Sequence, residues 1–357
     1  MYDLISRVLF RMKHALIRLS DRFNRFAMYR VSRNEARNLR KRLIQIRGQK
    51  IVDRTLKAKI KQYSRETFGS AAFWQWLALY TEMRGEFIEG WIPDEFYRFD
   101  VLPKVNPDKF ALLGQAKTID HKLFPKMTIE PQLMRLKGVF IDKFGNVLHK
   151  SQVGEYLAGL NREMVIKPDD GRQGKGIIFL HSKEIRLEAL PIEPDLIFQE
   201  KVRQHKSLLE VYPYSVNTFR VLTHIVKGGD ILVKFVNLKM GRGGNVLDNI
   251  SCGGIWVHVK LNGEVSSNAY DEFGLEIGET HPDTGYRFSD LKISFIQDIL
   301  TLCKKAHKSF SYVGLIGWDV YVNENGKPYI VEWNAKNPWF WDVEALFGPL
   351  FSKDDLQ

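Results

Sequence analysis

The sequence predicts an α+β fold in which helices pack on mainly antiparallel sheets. Beyond about residue 119, apolar runs of strand length alternate with turn signals. Two of these turns, at residues 228–230 and 323–326, place Gly, Asp or Asn between apolar runs, a pattern typical of β-hairpins. Residues 289–309 show helical apolar spacing, and hairpins with intervening helices indicate a layered α+β architecture.

Short apolar runs give the individual strands. In chain order they are GVFIDKFGNVLH (a hairpin that turns at residues 143–146), MVIKP, GIIFL, LIFQEKV, TFRVLTHIV, ILVKFVNLKM, YVGLIGWDVYV and KPYIVEWN. MVIKP and GIIFL flank a glycine-rich loop, and the last two runs flank the turn at residues 323–326. The sequence therefore predicts mainly antiparallel sheets.

Charge divides the chain into a basic N-terminal region and a mildly acidic remainder. The 357 residues include 53 Lys and Arg against 42 Asp and Glu, a formal net charge of +11. Residues 1–65 contain 19 basic residues and 4 acidic ones, so the rest of the chain carries a net charge of −4. This asymmetry indicates an anionic partner for the arm, such as a lipid surface, nucleic acid or an acidic polymer, or else a solvated helical face.

Residues 4–28 are predicted to form one amphipathic helix. Apolar side chains recur at spacings of three and four: Leu9, Met12, Leu16, Leu19, Phe23 and Phe26. Arginines occupy the other faces: Arg7, Arg11, Arg18, Arg22 and Arg25. Such a helix can lie in an anionic lipid interface, or it can be the seam of a helical hairpin or dimer. Residues 33–66 continue as basic helix with few aromatics to stack on bases, which makes nucleic acid an unlikely partner.

Composition excludes several classes of protein. No run approaches the roughly 18–20 apolar residues that a membrane-spanning helix needs. Arginines and a lysine interrupt the first apolar segment, unlike a secretory signal. The 2 cysteines are too few for a disulfide framework or a cysteine-based zinc site. We therefore expect a cytoplasmic location, with peripheral attachment to the inner face of a membrane if the arm binds lipid.

The chain is predicted to have three regions. Residues 1–66 form the basic helical arm, and residues 67–118 form an aromatic-rich connector, expected as a small helical core or as the lining of a substrate cleft. Residues 119–350 form the main domain, with a first subdomain at 119–205 and a second at 206–350.

The first candidate site is the glycine loop within VIKPDDGRQGKGIIFL. A predicted strand ends at Lys167, and Gly171, Gly174 and Gly176 follow. Glycines let backbone NH groups approach phosphate oxygens, and Lys167 would place a cation beside the same anion. The loop is not a Walker motif, because no Ser or Thr follows the Gly-Lys pair. A glycine hairpin turn is the alternative.

The second candidate site combines two carboxylates and an amide. Glu332 and Asn334 are two residues apart on a predicted strand, so their side chains share a face. If the turn at 323–326 pairs the flanking strands, Asp319 reaches the same face. Such a set suits Mg²⁺, which prefers oxygen ligands and completes its octahedron with substrate phosphates. The alternative is an exposed strand face with ordinary polar residues.

Together these segments resemble the ATP-grasp superfamily over about residues 100–345. The resemblance rests on TIDHKLF with Lys122, on the VIKP glycine-loop unit, on the hinge strand LIFQEKV and on the final D…ExN pattern. The segments NTFRVLT, LDNISCGGIWV, HPDTG and GWDVYV look like the sugar-transfer-associated, α-L-glutamate-ligase-related branch. The resemblance implies an ATP-grasp fold, with two α+β subdomains that clasp ATP, here with a basic helical extension.

The resemblance also implies roles for individual residues. Lys122 and Lys167 would hold the α- and β-phosphates, and the loop from Gly171 to Gly176, which includes Lys175, would be a mobile lid. The hinge residues that would meet adenine are Gln199, Glu200, Lys201 and Val202. Either Glu210 or His205 would meet the ribose. The γ-phosphate and acceptor would face Arg220, Arg242 and Asn249. Asp319, Glu332 and Asn334 would bind Mg²⁺, with Mn²⁺ as a substitute.

The implied activity is that of an ATP- and Mg²⁺-dependent carboxylate–amine ligase that acts through an acylphosphate. The substrates would be small or glycan-linked carboxylates and amines, such as a uronic acid and an amino acid, in polysaccharide or cell-envelope synthesis. Two alternatives remain: a kinase on the same fold that phosphorylates a hydroxyl group, and a non-catalytic nucleotide-binding adaptor.

Overall fold

The computed structural model describes residues 2–171, 174–352 and 355, with side chains from residue 24 onward. It divides into two compact units. The first, which we call the helical unit, comprises Met1–Lys104 and Trp341–Gln357. The second, the sheet unit, comprises Val105–Phe340. Nowhere in the described part of the chain does a helix combine the length and the apolar character that crossing a bilayer requires.

The described residues contain helices of very different lengths. The α-helices are α1 (Tyr2–Arg47), α2 (Arg54–Phe68), α3 (Trp74–Arg84), α4 (Asp94–Phe96), α5 (Leu102–Val105), α6 (Asp108–Ala111), α7 (Asp120–Leu123), α8 (Lys150–Leu160), α9 (Lys206–Val211), α10 (Ile296–Ser309) and α11 (Trp341–Phe347). A π-helical turn spans Tyr97–Val101. Short 3₁₀ turns lie at Ala71–Phe73, Leu112–Gln115, Lys117–Ile119, Ser182–Glu184, Leu187–Ala189, Ile250–Cys252 and Phe288–Asp290.

The strands all belong to the sheet unit. They are β1 (Pro131–Leu136), β2 (Val139–Asp142), β3 (Val147–Leu148), β4 (Glu163–Pro168), β5 (Ile178–His181), β6 (Leu196–Glu200), β7 (Thr218–Ile225), β8 (Ile231–Met240), β9 (Ile255–Val259), β10 (Val265–Tyr270), β11 (Glu276–Gly278), β12 (Leu315–Val322) and β13 (Pro328–Asn334).

Helix boundaries in the helical unit follow local capping chemistry. Helix α2 begins after Asp53, whose side chain accepts a hydrogen bond from the backbone NH of Leu56. It ends at Gly69, whose φ of +76° is the left-handed conformation that glycine adopts without a steric penalty.

Aromatic side chains form the core of the helical unit. Trp76 and Tyr80 of α3 are fully buried, and Trp341 of α11 packs on both rings, with centroids 5.5 and 6.3 Å away. Trp91 packs edge-on against Tyr80 at 5.7 Å. Burial of such large rings against each other contributes strongly to stability. The aromatic-rich segment thus forms a helical core.

Several arginines of α1 pair with acids of the same unit. Arg33 contacts Glu95 at 2.7 Å, and Arg40 contacts Glu82 through two nitrogens at 2.7 and 3.0 Å. Part of the arm's positive charge therefore stabilises packing. For the predicted apolar stripe, the side chains up to Phe23 lie outside the described residues, and that of Phe26 is 63% exposed.

The sheet unit confirms the predicted α+β class with two antiparallel sheets. The six-stranded sheet has the order β3-β2-β1-β6-β4-β5 and the seven-stranded sheet β11-β10-β9-β8-β7-β12-β13. The predicted turns at 228–230 and 323–326 join β7 to β8 and β12 to β13. The helix predicted over 289–309 begins later, at Ile296, because the segment before it bridges to the turn around Gly263 through Ile293 and Lys292.

The seven-stranded sheet has one apolar face and one polar face. Its apolar face packs on α10, and its buried side chains include Val221, Val236, Leu238, Val257, Ile316 and Val320. Since side chains alternate along each strand, the residues between these point to the opposite face. The candidate site lies on that opposite face. The six-stranded sheet has its own core, in which α8 covers Ile166 and Phe198.

The helical unit should lose stability as the pH rises. Burial raises the pKa of Glu95 from 4.5 to about 8, and that of Asp94 from 3.8 to about 7. The stability that depends on protonated Glu95 is fully present below pH 4.5 and is lost as the pH rises through about 8. We expect Glu95→Gln to remove on the order of 2 kcal/mol of this pH dependence, measured by unfolding of the full chain from pH 5 to 9.

A matched control is Glu86→Gln, because the Glu86 side chain is 69% exposed. This variant should keep the wild-type pH dependence. Equal slopes of stability against pH for Glu95→Gln and the wild type would contradict the prediction.

Candidate functional site

Five polar side chains form a row across the polar face of the seven-stranded sheet. The register pairs Glu332 with Asp319, Asp319 with Arg220, Arg220 with Asn237 and Asn237 with His258. Directly opposed residues on antiparallel strands point to the same face. The row therefore crosses β13, β12, β7, β8 and β9, and we call it the polar row.

Asp319 lies at the centre of the polar row and binds two cations. Its Oδ1 and Oδ2 atoms accept hydrogen bonds from Arg220 Nε and Nη2 at 2.7 and 2.9 Å. Lys239 Nζ lies 3.0 Å from Oδ1. Burial opposes ionisation of the carboxyl group, but these two cations lower its pKa to about 2. Asp319 is consequently an anion held by two positive charges.

A second carboxylate supports this cluster from the loop after β8. Lys239 Nζ lies 4.0 Å from Asp248. The backbone NH of Thr218 donates to Asp248 Oδ2 at 3.1 Å, and the Thr218 hydroxyl group donates to the same atom. The Lys239 ammonium group therefore lies between two carboxylates, those of Asp319 and Asp248.

Beside the row, a pocket lies between the two sheets. The empty space in it, open solvent included, is about 290 Å³, and its lining includes Lys117, Asp120, Lys167 and Gln199. Burial raises the pKa of Asp120 to about 7, although Trp333 Nε1 donates to its Oδ1 at 2.8 Å. Burial, with a smaller effect from the Lys117 ammonium group, lowers the pKa of Lys167 to about 8. Two lysines and a carboxyl group therefore line one pocket.

The candidate metal ligands differ in their surroundings. Glu332 faces Asp319 across the strand pair and lies within electrostatic range of Lys167 and Asp120. In the part of the chain with described side chains, Glu332 and Asn334 have no hydrogen-bond or ion-pair partner for their side chains. Their oxygens suit a hard cation such as Mg²⁺. The Asp319 oxygens are committed to Arg220 and Lys239, and no three His, Cys, Asp or Glu among the described residues form a metal-binding group.

The predicted glycine loop connects β4 to β5, and its residues 172 and 173 lie outside the described residues. Lys117 Nζ donates to the Gly171 carbonyl at 2.5 Å. Gly174 and Gly176 have φ values of +72° and +76°. A Cβ atom on Gly174 would lie 2.5 Å from Leu247 Cδ1, so the end of the leucine side chain would have to move. Lys175 is exposed.

The predicted hinge residues lie at and after the end of β6. Gln199 lines the pocket and donates from Nε2 to the Ile129 carbonyl at 2.7 Å. Glu200 is exposed and pairs with Arg162 at 2.6 Å, and Lys201 donates its backbone NH to Glu163 at 2.8 Å. Gln199 is therefore the hinge residue that the structure brings to the pocket lining.

The residues around the hinge have mainly local contacts. Val202 is half-buried and Glu210 exposed. His205 caps α9, where its Nδ1 atom lies 2.9 Å from Ser207 Oγ. Neither ribose candidate lines the pocket.

The remaining predicted residues are spread around the site. Lys122 is exposed, and the pocket lining holds Lys117 in its place. Arg242 Nε donates to the Gly253 carbonyl at 2.7 Å. Asn249 caps a 3₁₀ turn by accepting from the backbone NH of Ser251 at 3.0 Å. Of the predicted phosphate and acceptor residues, the structure brings Arg220 into the polar row.

Sequence reasoning missed Lys117, Lys239, Asn237 and His258. His258 Nδ1 lies 3.0 Å from Asn237 Oδ1, and since an amide oxygen only accepts, Nδ1 donates. Burial lowers the pKa of His258 to about 4, so its ring is neutral at pH 7. A sequence signal existed in the strand alternation, because Arg220 and its cross-strand partners occupy the non-core positions of β7, β8 and β9.

The sequence matches the family model of sugar-transfer associated ATP-grasp proteins over residues 100–345. Among curated proteins, none matches the chain. Structural similarity to solved proteins is low. An L-amino acid ligase from Bacillus licheniformis is 12% identical, with 63% of this chain and 41% of that one covered and a TM-score of 0.37.

Two further solved structures show the same level of similarity. Biotin carboxylase from Campylobacter jejuni is 10% identical, with 65% of this chain and 42% of that one covered and a TM-score of 0.41. N5-carboxyaminoimidazole synthase from Aspergillus clavatus is 13% identical, with 70% and 56% covered and a TM-score of 0.40. These similarities are too low to carry a conclusion about activity, and the chain spans only 41% to 56% of the length of these proteins.

The family match includes the strands of both sheets, the glycine loop and all five residues of the polar row. It covers more than half of the chain. The chain belongs to the sugar-transfer associated ATP-grasp family.

Proposed function

We propose that the chain is an ATP-dependent ligase that activates a carboxylate by phosphoryl transfer and joins it to an amine. The observation that carries the proposal is the convergence of Arg220 and Lys239 on Asp319, beside Glu332. Fixed cations of this kind neutralise the charge that develops on a transferred phosphoryl group. Family membership supports the use of ATP.

The two pocket lysines would bind the nucleotide phosphates. Lys117 has three NH donors, so it can keep its bond to Gly171 and also contact a phosphate. The lowered pKa of Lys167 reflects burial beside Lys117. A bound phosphate would restore the charged form of Lys167, because an adjacent anion favours protonation.

The metal would be held by Glu332 and Asn334, whose oxygens fit a hard cation. A Mg²⁺ ion there, or Mn²⁺ in its place, would supply neutralisation of charge on the phosphate oxygens. The glycine loop would exclude water from the reacting groups and so protect an acylphosphate from hydrolysis.

The acceptor carboxylate would bind along the polar row next to Arg220. The positive charge of the guanidinium group would attract the acceptor carboxylate, while its Nε and Nη2 atoms keep their bonds to Asp319. An amine would then attack the acyl carbon of the phosphorylated carboxylate, the bond to the phosphate oxygen would break, and inorganic phosphate would leave. We propose a sugar acid or an amino-acid-type compound as the acceptor, in polysaccharide or cell-envelope synthesis. The family description supports only the association with sugar transfer.

The basic arm would attach the enzyme to an anionic membrane surface through residues 4–28. The alternation of apolar and basic residues in that sequence supports this role. The location would then be the inner face of a cytoplasmic membrane.

Deleting residues 1–30 should abolish cosedimentation with vesicles that contain a phosphatidylglycerol fraction, because the deletion removes the interfacial segment. The measurement compares the full chain and the deletion variant on anionic and on purely phosphatidylcholine vesicles. A full chain that ignores anionic vesicles would show that the arm packs on protein instead.

Lys117→Met should weaken ATP binding by about tenfold to a hundredfold, because a charge-assisted contact to phosphate is lost. Lys122→Met is the matched control, since Lys122 is exposed and outside the pocket lining. It should change ATP affinity by less than about twofold. Isothermal titration calorimetry measures both. The reverse order of effects would return the phosphate role to Lys122.

Incubation with ATP, Mg²⁺, hydroxylamine and a panel of uronic and amino acids should yield a hydroxamate. Hydroxylamine traps an acylphosphate, so the product reports carboxylate activation, and Glu332→Gln should abolish it. ADP release with a phosphorylated hydroxyl product and no hydroxamate would establish a kinase. ATP binding without turnover on the whole panel would favour an adaptor.

A further inference from the structure

The Asp319 carboxylate is already engaged on both oxygens. Oδ1 accepts from Arg220 Nε at 2.7 Å and lies 3.0 Å from Lys239 Nζ, while Oδ2 accepts from Arg220 Nη2 at 2.9 Å. A carboxylate offers about four acceptor positions. These two cations occupy most of them, which leaves little capacity for a metal ion.

The strands fix this arrangement on both sides of Asp319. Arg220 is the cross-strand partner of Asp319 on β7, and Lys239 projects from β8 between Asp319 and Asp248. Asp319 and Lys239 are both buried. To coordinate a metal ion, Asp319 would have to give up part of its pairing with Arg220 and Lys239, and unpairing buried charges is costly.

Glu332 and Asn334, unlike Asp319, keep their side-chain oxygens available for a metal ion among the described residues. Both lie on β13 two residues apart, so they share the face of the polar row. Across the described side chains, neither has a competing hydrogen bond or ion pair. Glu332 is also the neighbour of Asp319 across the strand pair, so a cation at Glu332 would lie next to the Arg220 and Lys239 cluster.

We propose that Asp319 is a positioning residue that aims Arg220 and Lys239 at the terminal phosphate of ATP, and that Glu332 and Asn334 bind the metal ion without it. The inference rests on the proposed function, because it assumes that the site binds a metal–ATP complex. Under this proposal Asp319 is not the metal ligand that the sequence predicted. Its negative charge instead orients Arg220 and Lys239.

The first test measures the metal alone. Electron paramagnetic resonance follows Mn²⁺ binding to the full chain in the presence of the ATP analogue AMPPNP. Glu332→Gln should weaken Mn²⁺ binding by at least about tenfold, since it removes a ligand. At AMPPNP concentrations that saturate each variant, Asp319→Asn, the matched isosteric change, should stay within about threefold of the wild type. A loss for Asp319→Asn as large as that for Glu332→Gln overturns the proposal.

The second test measures the positioning role without an acceptor. The ratio of AMPPNP to ADP affinity reports contacts to the terminal phosphate. Asp319→Asn and Lys239→Met should each lower this ratio by about tenfold or more, because the cations lose their alignment or their charge. An unchanged ratio in Asp319→Asn contradicts the positioning role, since general loss of structure would weaken both nucleotides equally.

A measurement on the unmutated chain keeps the proposal testable if Asp319→Asn does not fold. Electron–nuclear double resonance of bound Mn²⁺ should detect the carboxyl carbon of ¹³C-labelled glutamate at coordination distance. The same coupling from ¹³C-labelled aspartate would overturn the proposal. A wild type that binds no Mn²⁺ with AMPPNP contradicts the proposed function itself, which separates the two failures.

Discussion

The antiparallel register of the seven-stranded sheet is the constraint on which the site depends. It places Glu332, Asp319 and Arg220 opposite one another on three neighbouring strands. Because side chains alternate with a period of two, a slip of one residue on β12 would move Asp319 into the apolar layer against α10 and bring Trp318 to the polar face. Packing of Trp318 and its neighbours in the core therefore fixes the position of each charge on the other face.

Each unit contains a buried carboxyl group, and the two groups differ in their ionisation. In the sheet unit, buried Asp319 stays ionised because two cations contact it. In the helical unit, burial keeps Glu95 protonated near neutral pH even though Arg33 contacts it. The basic arm is thus not one uniform surface. Arg33 and Arg40 belong to the packing of the helical unit. Arg25 pairs with Asp100 of the same unit, and Arg47 donates to the backbone carbonyls of Glu82 and Met83.

The α+β class and the two hairpins, β7–β8 and β12–β13, could be predicted from the sequence. These features depend on local signals, namely apolar runs and turn residues. The sequence also placed Asp319 and Glu332 on one face. It did not single out Lys117 from Lys122, since they lie in two consecutive short helical elements and only tertiary packing decides which side chain points toward the pocket. Lys239 carried no motif, and its contact with Asp319 depends on the pairing of β7 with β12, which are far apart in the chain. Helix α10 begins later than predicted because the residues before it bond to the turn around Gly263, which is distant in the sequence.

Gly174 and Leu247 bring a loop of each sheet close together. The glycine loop belongs to the six-stranded sheet, and Leu247 lies in the loop that follows β8 of the seven-stranded sheet. The absence of a side chain at position 174 therefore lets loops of two different sheets approach each other closely. An added Cβ atom would displace the end of the Leu247 side chain, and the φ of +72° at Gly174 would add backbone strain.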